Sequence, residues 1–211
     1  MIILIGGEKG GSGKSALAQN ISVSLAIRGK RVKIVDADPQ GTTEDWAEDR
    51  AAASPNATQV SHVHMTGNIR DTLIELDSQY DFIIVDVGGK DSKPLRSAMT
   101  CAHKMLIPLR PKRRDLKTLD HMSELVELAR TMNPNMWVRA VITQAPPLPT
   151  QAQRILDAKG ICETFGIQAL NAVTFARNIY DDCDENGLSV FESNDDKAKA
   201  EIEAIVSEMG I

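Results

Sequence analysis

The chain has 211 residues and a formal net charge of −5, so we expect one domain, residues 1–211, with a sizeable core. The negative net charge argues against a protein that coats nucleic acid with a surface that is basic throughout. It is compatible with a local basic patch. No apolar run is long enough to span a bilayer, and the N-terminus does not follow the order of a signal peptide, so we expect a cytoplasmic protein.

Short β-type runs alternate with helical patterns along the chain, which is typical of a parallel sheet with helices on both faces. The predicted strands cover residues 2–5, 32–36, 59–64, 82–86, 104–109 and 137–143, and a short last strand follows Gly166 and Ile167. The predicted helices cover residues 16–28, 43–52, 69–76, 95–101, 116–131, 150–164, 176–185 and 195–209. We therefore predict an α/β fold with a doubly wound, mostly parallel sheet.

Residues 7–15, Gly-Glu-Lys-Gly-Gly-Ser-Gly-Lys-Ser, lie between the first strand and the first helix. We interpret them as a phosphate-binding loop of the Gly-x-x-x-x-Gly-Lys-Ser type, with Gly7 as its first glycine, as in P-loop NTPases. Glycines allow successive backbone N–H groups to turn toward one phosphate, and the helix N-terminus adds its partial positive charge. The predicted nucleotide contacts are Gly10, Gly11, Ser12, Gly13, Lys14, Ser15 and Ala16, with Lys14 at the β and γ phosphates and Ser15 on Mg²⁺.

Two later strands end in carboxylates. Asp36 and Asp38 close the second strand at alternate positions, so in extended geometry both project to the same side. Asp86 ends another apolar strand just before Gly88 and Gly89, a Walker B arrangement in which Asp86 would hold Mg²⁺ through water. Ligands of parallel sheets gather beyond the carboxyl ends of the strands, so these acids are expected near the phosphates. Geometry alone does not distinguish the role of Asp36 from that of Asp38.

The second lysine of the loop, Lys9, points to a specific family. Residues 9–15, the segment 36–40 and the strand that ends at Asp86 resemble the deviant Walker A ATPases of the ParA/MinD group, and within it the short, ParF-like branch. The resemblance covers nearly the whole chain and implies ATP and Mg²⁺ as cofactors. It also implies a homodimer with ATP sandwiched between two subunits, in which Lys9 crosses to the nucleotide of the partner.

The resemblance also implies roles for the site residues and a function. Lys9, Lys14 and Asp38 would be catalytic, with Asp38 positioning the attacking water, whereas Ser15, Asp36 and Asp86 would form the surroundings of the magnesium ion. The expected activity is ATP hydrolysis, weak alone and stimulated by a partner. The expected function is DNA or plasmid partition, in which the ATP-bound dimer binds nonspecific DNA and a ParB-like centromere-binding adaptor releases it.

Six basic residues are predicted to contact DNA. The resemblance indicates the C-terminal helices, with Arg177, Lys197 and Lys199, and local charge adds Lys112, Arg113 and Arg114. The latter three are predicted in a loop, which could instead face the second subunit, the partner or only solvent. The tail 198–209 is rich in acids and lacks bulky aromatic residues, so we expect no membrane binding. Nucleoid association is what the resemblance implies, through the expected DNA binding.

Three alternative functions stay open at this point. A ParA-like ATPase can position another cargo, such as a carboxysome, a chemoreceptor cluster or a conjugation complex. A P-loop ligase of the dethiobiotin-synthetase or cobyrinate-amidase type would share the core, but the chain shows no substrate-binding residues of that kind and Lys9 argues against it. A regulator that binds a protein partner and never touches DNA would also share the loop.

Overall fold

Seven strands form one parallel sheet in the computed structural model, which describes residues 1–211. The strands are β1 (Ile2–Ile5), β2 (Val32–Ala37), β3 (Ser61–His64), β4 (Phe82–Val87), β5 (Lys104–Leu109), β6 (Trp137–Ala145) and β7 (Ala169–Phe175). Their order across the sheet is β3-β2-β4-β1-β5-β6-β7, and every neighbouring pair is parallel. The prediction of a mostly parallel sheet is confirmed, and the sheet is in fact parallel throughout.

Helices cover both faces of the sheet, as the doubly wound prediction requires. They are α1 (Lys14–Ile27), α2 (Thr42–Ala53), α3 (Arg70–Asp77), α4 (Lys93–Met99), α5 (Arg113–Leu116), α6 (Leu119–Arg130), α7 (Ala152–Thr164), α8 (Asn178–Asp184) and α9 (Asp196–Glu208). Single 3₁₀ turns lie at Pro149–Gln151 and Val190–Glu192. Helices α3, α4, α6 and α7 pack on one face, and α1, α2 and α9 pack on the other. None of these helices combines the length and apolar character needed to cross a membrane.

The central strands are apolar on both sides because both faces of the sheet are covered. In β1, Ile2 and Leu4 point into one core while Ile3 and Ile5 point into the other, and all four are at most 1% exposed. Successive side chains of a strand alternate between faces, so a strand buried on both sides is an unbroken apolar run in the sequence. The sequence pattern therefore located β1, β4 and β5 to within one residue.

The segment after β5 differs from the prediction. In place of a loop followed by one long helix, the chain forms the short α5 and then α6. The break follows Asp115, whose buried carboxylate accepts from Nε of Arg110 at 2.8 Å and whose carbonyl accepts from the Thr118 hydroxyl at 2.7 Å. Such bonds from side chains compete with continuation of a helix. The residues Arg113 and Arg114, predicted in a loop, consequently lie in a helical turn.

The last strand is longer than the sequence pattern indicated. β7 has 7 residues and lies at the edge of the sheet. Only Leu170 and Thr174 of this strand are buried, and its pairing with β6 shifts register between neighbouring contacts. A partly exposed edge strand carries a weak apolar pattern, which explains why its length was not readable from the sequence.

A buried ion pair ties the C-terminal segment to α2. The side chain of Arg50 is 1% exposed and its guanidinium pairs with Glu192. The same guanidinium donates from Nε to the carbonyl of Thr58 at 2.8 Å and from Nη1 to the carbonyl of Gly187 at 3.0 Å. These bonds hold the 3₁₀ turn that contains Glu192 against α2, far from it in the sequence.

Removing one partner of this buried pair leaves a charge uncompensated. We expect Glu192→Ala to lower the free energy of unfolding by about 3 kcal/mol, measured by urea denaturation. The matched control is Glu203→Ala, which removes the partner of Arg28 in a pair whose side chains are 35% and 45% exposed. That control is expected to cost less than about 1 kcal/mol. Equal losses in the two variants would contradict the structural role of the buried pair.

Candidate nucleotide site

The loop between β1 and α1 lies near the centre of the sheet, because β1 is flanked by β4 and β5. Gly11 and Gly13 have φ of +69° and +84°, a left-handed conformation that glycine adopts without strain. No side chain caps the start of α1 at Gly13, so the first backbone N–H groups of this helix are available to an anion. The loop therefore offers open donors at the positive end of a helix dipole.

Lys14 is buried within this loop and is only 6% exposed. Its Nζ donates to the carbonyl of Lys9 at 3.0 Å, and the Ser12 hydroxyl donates to the same carbonyl at 3.1 Å. Burial lowers the pKa of Lys14, and the charge of Asp86 and of two further carboxylates opposes that shift. A buried ammonium held by a single neutral carbonyl is incompletely compensated, so an ionised phosphate oxygen would be a stronger partner.

The end of β6 supports the loop from one side. The Thr143 hydroxyl donates to the carbonyl of Ser12 at 2.7 Å, and the side-chain amide of Gln144 donates to the carbonyl of Gly11 at 3.1 Å. Gln144 has φ of +48° and is the only non-glycine residue with positive φ, a costly conformation that clusters at functional sites. Sequence reasoning missed both residues, although their place at the carboxyl end of a predicted strand was a usable signal.

Asp36 and Asp38, which the sequence did not distinguish, have different surroundings. Asp36 is 2% exposed, and its carboxylate accepts backbone N–H bonds from Asp38, Thr43 and Glu44, each at 2.9 Å. Both oxygens are thus engaged in holding the connection between β2 and α2, and contact of Asp36 with magnesium stays a prediction. Asp38 is half-buried and lines the cleft over the loop.

Asp86 has a buried oxygen without a partner. The residue is 1% exposed, its Oδ2 accepts from the Thr43 hydroxyl at 2.7 Å, and its Oδ1 has no hydrogen bond. Burial raises the pKa of Asp86 to about 7, which the nearby hydroxyls of Ser15 and Thr43 oppose. No group of three or more His, Cys, Asp or Glu is placed to bind a metal ion. The unpartnered Oδ1 of Asp86 and the nearby Ser15 hydroxyl would fit an Mg²⁺ that takes most of its other oxygens from phosphate and water.

The loop after β4 packs against both the phosphate loop and Asp38. A Cβ atom added to Gly89 would lie 2.8 Å from the backbone nitrogen of Gly10, and one added to Gly88 would lie 3.1 Å from Oδ1 of Asp38. Any larger residue at position 89 would therefore displace backbone. Two glycines at this point therefore allow the backbone after β4 to approach the phosphate loop closely.

A cleft of about 590 Å³ opens over the phosphate loop, a size that suits a small ligand. The predicted contacts that line it are Gly10, Gly11, Gly13, Lys14, Ser15 and Ala16. Ser12 is instead 1% exposed beneath the loop surface. The opposite wall comes from the end of β7 and from α8, and it includes Arg177. Arg177, predicted to contact DNA, donates from Nε to Oε1 of Glu201 at 2.7 Å.

The loop departs from the predicted motif at its first position. Counted back from Gly13, the pattern Gly-x-x-x-x-Gly-Lys-Ser begins at residue 8, which is Glu8, so the prediction that Gly7 begins the match is wrong. The Glu8 carboxylate contacts Nδ1 of His121 on α6, and this contact raises the pKa of His121. The phosphate loop thus departs from the pattern at Glu8, next to Lys9, and Glu8 connects it to α6.

Comparison with known proteins decides the family. Residues 1–127, more than half of the chain, match the family described as ATPase MipZ. The maintenance of carboxysome distribution protein A of Halothiobacillus neapolitanus is 30% identical over 95% of this chain and 92% of its own length. The chain belongs to the ParA/MinD family of deviant Walker A ATPases. The predicted ATPase activity and P-loop fold are thereby confirmed.

Two further comparisons describe the range of relatives of this ATPase. The chromosome partitioning protein ParA of Caulobacter vibrioides is 25% identical over 84% of this chain and 81% of its own length. The solved structure of apo McdA from Cyanothece has a TM-score of 0.81, covers 99% of this chain and 98% of its own, and is 13% identical. At that identity the structural likeness shows the fold alone.

The raised pKa of Asp86 gives a prediction for the nucleotide-free ATPase. The folded protein keeps this proton up to about pH 7, whereas the unfolded chain loses it near the ordinary pKa of 3.8. Between those values the folded state binds more protons, so this group lowers the free energy of unfolding as pH rises. We expect Asp86→Asn, which cannot ionise, to gain stability relative to the wild type from about pH 4 to about pH 7, by a few kcal/mol in total. Urea denaturation without nucleotide measures this, and parallel pH profiles of the two proteins would contradict it.

Proposed function

We propose that this ATPase is an ATP-dependent switch that positions a cargo. Two copies close around ATP and Mg²⁺, the dimer binds nonspecific DNA, and a ParB-like adaptor protein carried by the cargo releases it by stimulating hydrolysis. The observation that carries the proposal is the second lysine of the phosphate loop, Lys9. An enzyme that works as a single chain needs only Lys14 at its phosphates. A switch that pairs two subunits also needs a lysine that reaches the nucleotide of the partner, and Lys9 would supply it.

Lys9 and Lys14 have different environments although they belong to the same loop. Lys14 is buried and its ammonium is bonded within the loop. Lys9 is half-buried, lies outside the lining of the cleft, and its ammonium has no hydrogen bond or ion pair with its own chain. One lysine is thus enough for the nucleotide of its own subunit, and the other is available to the nucleotide of a second copy.

The same arrangement makes pairing depend on the nucleotide. Without a triphosphate, two facing loops would bring lysines together with little negative charge between them, which opposes association. With ATP in both clefts, each Lys9 would meet phosphate oxygens in a water-poor interface, where a charge-assisted hydrogen bond is strong. Dimerisation and the detection of ATP are therefore one event in this proposal.

Hydrolysis is assigned to residues at the rim of the cleft. Mg²⁺, when bound, would neutralise charge on the β and γ phosphates. Asp38 is held in place from both sides, since its backbone nitrogen donates to Asp36 and its Oδ1 accepts from the backbone nitrogen of Gln40 at 3.0 Å. A positioned carboxylate of this kind can orient an attacking water. Because Asp38 is only half-buried, the chain alone would hold an attacking water weakly. We therefore expect slow turnover until a partner completes the site.

The relatives support the positioning of a cargo more strongly than DNA partition in particular. Two of them, from Halothiobacillus neapolitanus and Gloeobacter kilaueensis, are named for carboxysome distribution, and each alignment covers at least 95% of this chain. We therefore favour a carboxysome or another large body as the cargo over a plasmid. The small-molecule ligase alternative shares the fold but offers no role for Lys9.

The two lysines give a test of the switch. We expect Lys14→Ala to lose nucleotide binding, because the β and γ phosphates lose their charge partner, and Lys9→Ala to keep ATP binding but lose the dimer. Calorimetry measures the first property and light scattering with ATP and Mg²⁺ measures the second. Lys30→Ala, at an exposed lysine after α1, is the control and should change neither. If Lys9→Ala dimerises normally, the sandwich arrangement is wrong.

Asp38 separates nucleotide binding from turnover. We expect Asp38→Ala to hydrolyse ATP at least about tenfold more slowly, because general-base positioning typically contributes at least that much, while ATP still binds. The variant should accumulate as a dimer that stays on DNA after addition of the adaptor. Asp45→Ala, at an exposed acid of α2, should behave as the wild type in phosphate-release assays and gel filtration. A monomeric Asp38→Ala in the presence of ATP would assign this residue another role.

A further inference from the structure

The proposed function requires this acidic protein to bind DNA. The sequence indicated two basic regions for that contact, residues 112–114 and the C-terminal helices, and the structure shows that they differ. We infer that DNA is bound through the basic surface of α5, formed by Lys112, Arg113 and Arg114, and not through the C-terminal helices. This inference rests on the proposed function, since it names the surface by which the ATP-bound dimer would hold DNA. The two regions differ in how much positive charge is free.

The C-terminal helices present mostly negative charge. Residues 178–208 contain ten acidic residues and two lysines. Lys199 pairs with Asp196 at 3.1 Å, and Arg177, just before this segment, pairs with Glu201 at 2.7 Å. A DNA duplex carries one negative charge per about 1.7 Å of its axis, so a surface of this composition repels it. Arg177 and Lys199 are thus paired within the chain, and Lys197, which is exposed and has no ion pair, directly follows Asp195 and Asp196.

The surface of α5 has the opposite character. Residues 110–120 contain five basic residues and two acidic ones, and Lys112, Arg113 and Arg114 are all exposed without an ion pair to their own chain. The nearest acid in sequence is Asp115, which is 1% exposed. Its carboxylate is paired with Arg110, whose Nε donates to Oδ2 at 2.8 Å. The three outer cations therefore keep their full charge for an external polyanion.

A short connection joins this surface to the phosphate loop. Arg110, which holds Asp115 and thereby fixes the turn of α5, also lies over the loop, because a Cβ atom added to Gly11 would be 3.7 Å from its Nη1. The α5 surface thus sits at the same edge of the sheet as the nucleotide. Pairing of two copies by ATP would present two such surfaces to one duplex, and bivalent contact of this kind raises affinity without any new bond.

The test compares a triple variant with a double variant, and both replace cations by neutral glutamine. Lys112→Gln/Arg113→Gln/Arg114→Gln removes the charge of the α5 surface, and Lys197→Gln/Lys199→Gln removes the charge of the α9 lysines. Binding to a fluorescent duplex of random sequence is measured by anisotropy with ATP and Mg²⁺ over a range of salt concentrations. We expect the α5 variant to bind at least about tenfold more weakly, with a salt slope reduced by roughly 0.9 for each phosphate that it no longer neutralises. The α9 variant should bind as the wild type does.

Control measurements separate this inference from the proposed function. ATP affinity and ATP-dependent dimerisation should be unchanged in the α5 variant, since its substituted side chains are exposed. Loss of the dimer in that variant would overturn the inference and assign the α5 surface to the subunit interface. Loss of DNA binding in the α9 variant alone would also overturn it. If the wild type with ATP binds no DNA even at low salt, the DNA step of the proposed function is wrong.

Discussion

The conformation of the phosphate loop is the constraint on which the rest of the structure depends. Its carbonyl groups are held from the side by β6, where Thr143 and Gln144 bond to Ser12 and Gly11. Its backbone is also approached so closely by Gly89 that no larger side chain fits there. All these supports lie at the carboxyl ends of parallel strands, so the sheet arrangement is what assembles them. With the carbonyl groups held in this way, the backbone N–H groups are left for the phosphates.

Two buried groups of the site have weak or missing partners within the chain. Lys14 is bonded to a neutral carbonyl, and Asp86 has a buried oxygen without a partner. Burying such groups destabilises the folded protein, and a ligand that supplies a phosphate and a cation would remove both deficits together. A ligand that binds only the folded state also stabilises it by mass action. Both groups lie in or beside the loop that the proposed function assigns to a metal–nucleotide complex.

Several parts of the proposed switch contact one another around this loop. Gly88 lies against Asp38, the next residue lies against the loop, and Arg110 connects the loop with α5. Glu8 adds a further connection, through His121, to α6. The loop is therefore in direct contact with residues that belong to, or hold, three neighbouring parts of the fold: Asp38, α5 and α6.

The sequence by itself determined those elements whose residue pattern lies within one short stretch of the chain. The two-sided burial of β1 and of residues 82–85 in β4 makes each an unbroken apolar run. The phosphate loop is recognised from Gly10, Gly11 and Gly13 before Lys14 and Ser15, although its first position is Glu8. Only the tertiary structure distinguished Asp36, whose Oδ2 accepts from the first backbone N–H groups of α2, from Asp38 in the cleft, because the alternate spacing in the sequence predicts the same direction for both. It also decided that Arg177 pairs with Glu201 while the cations of α5 stay free. These outcomes depend on which side chains meet across the fold, and hydrogen bonds between residues distant in the chain leave no periodic pattern in the sequence.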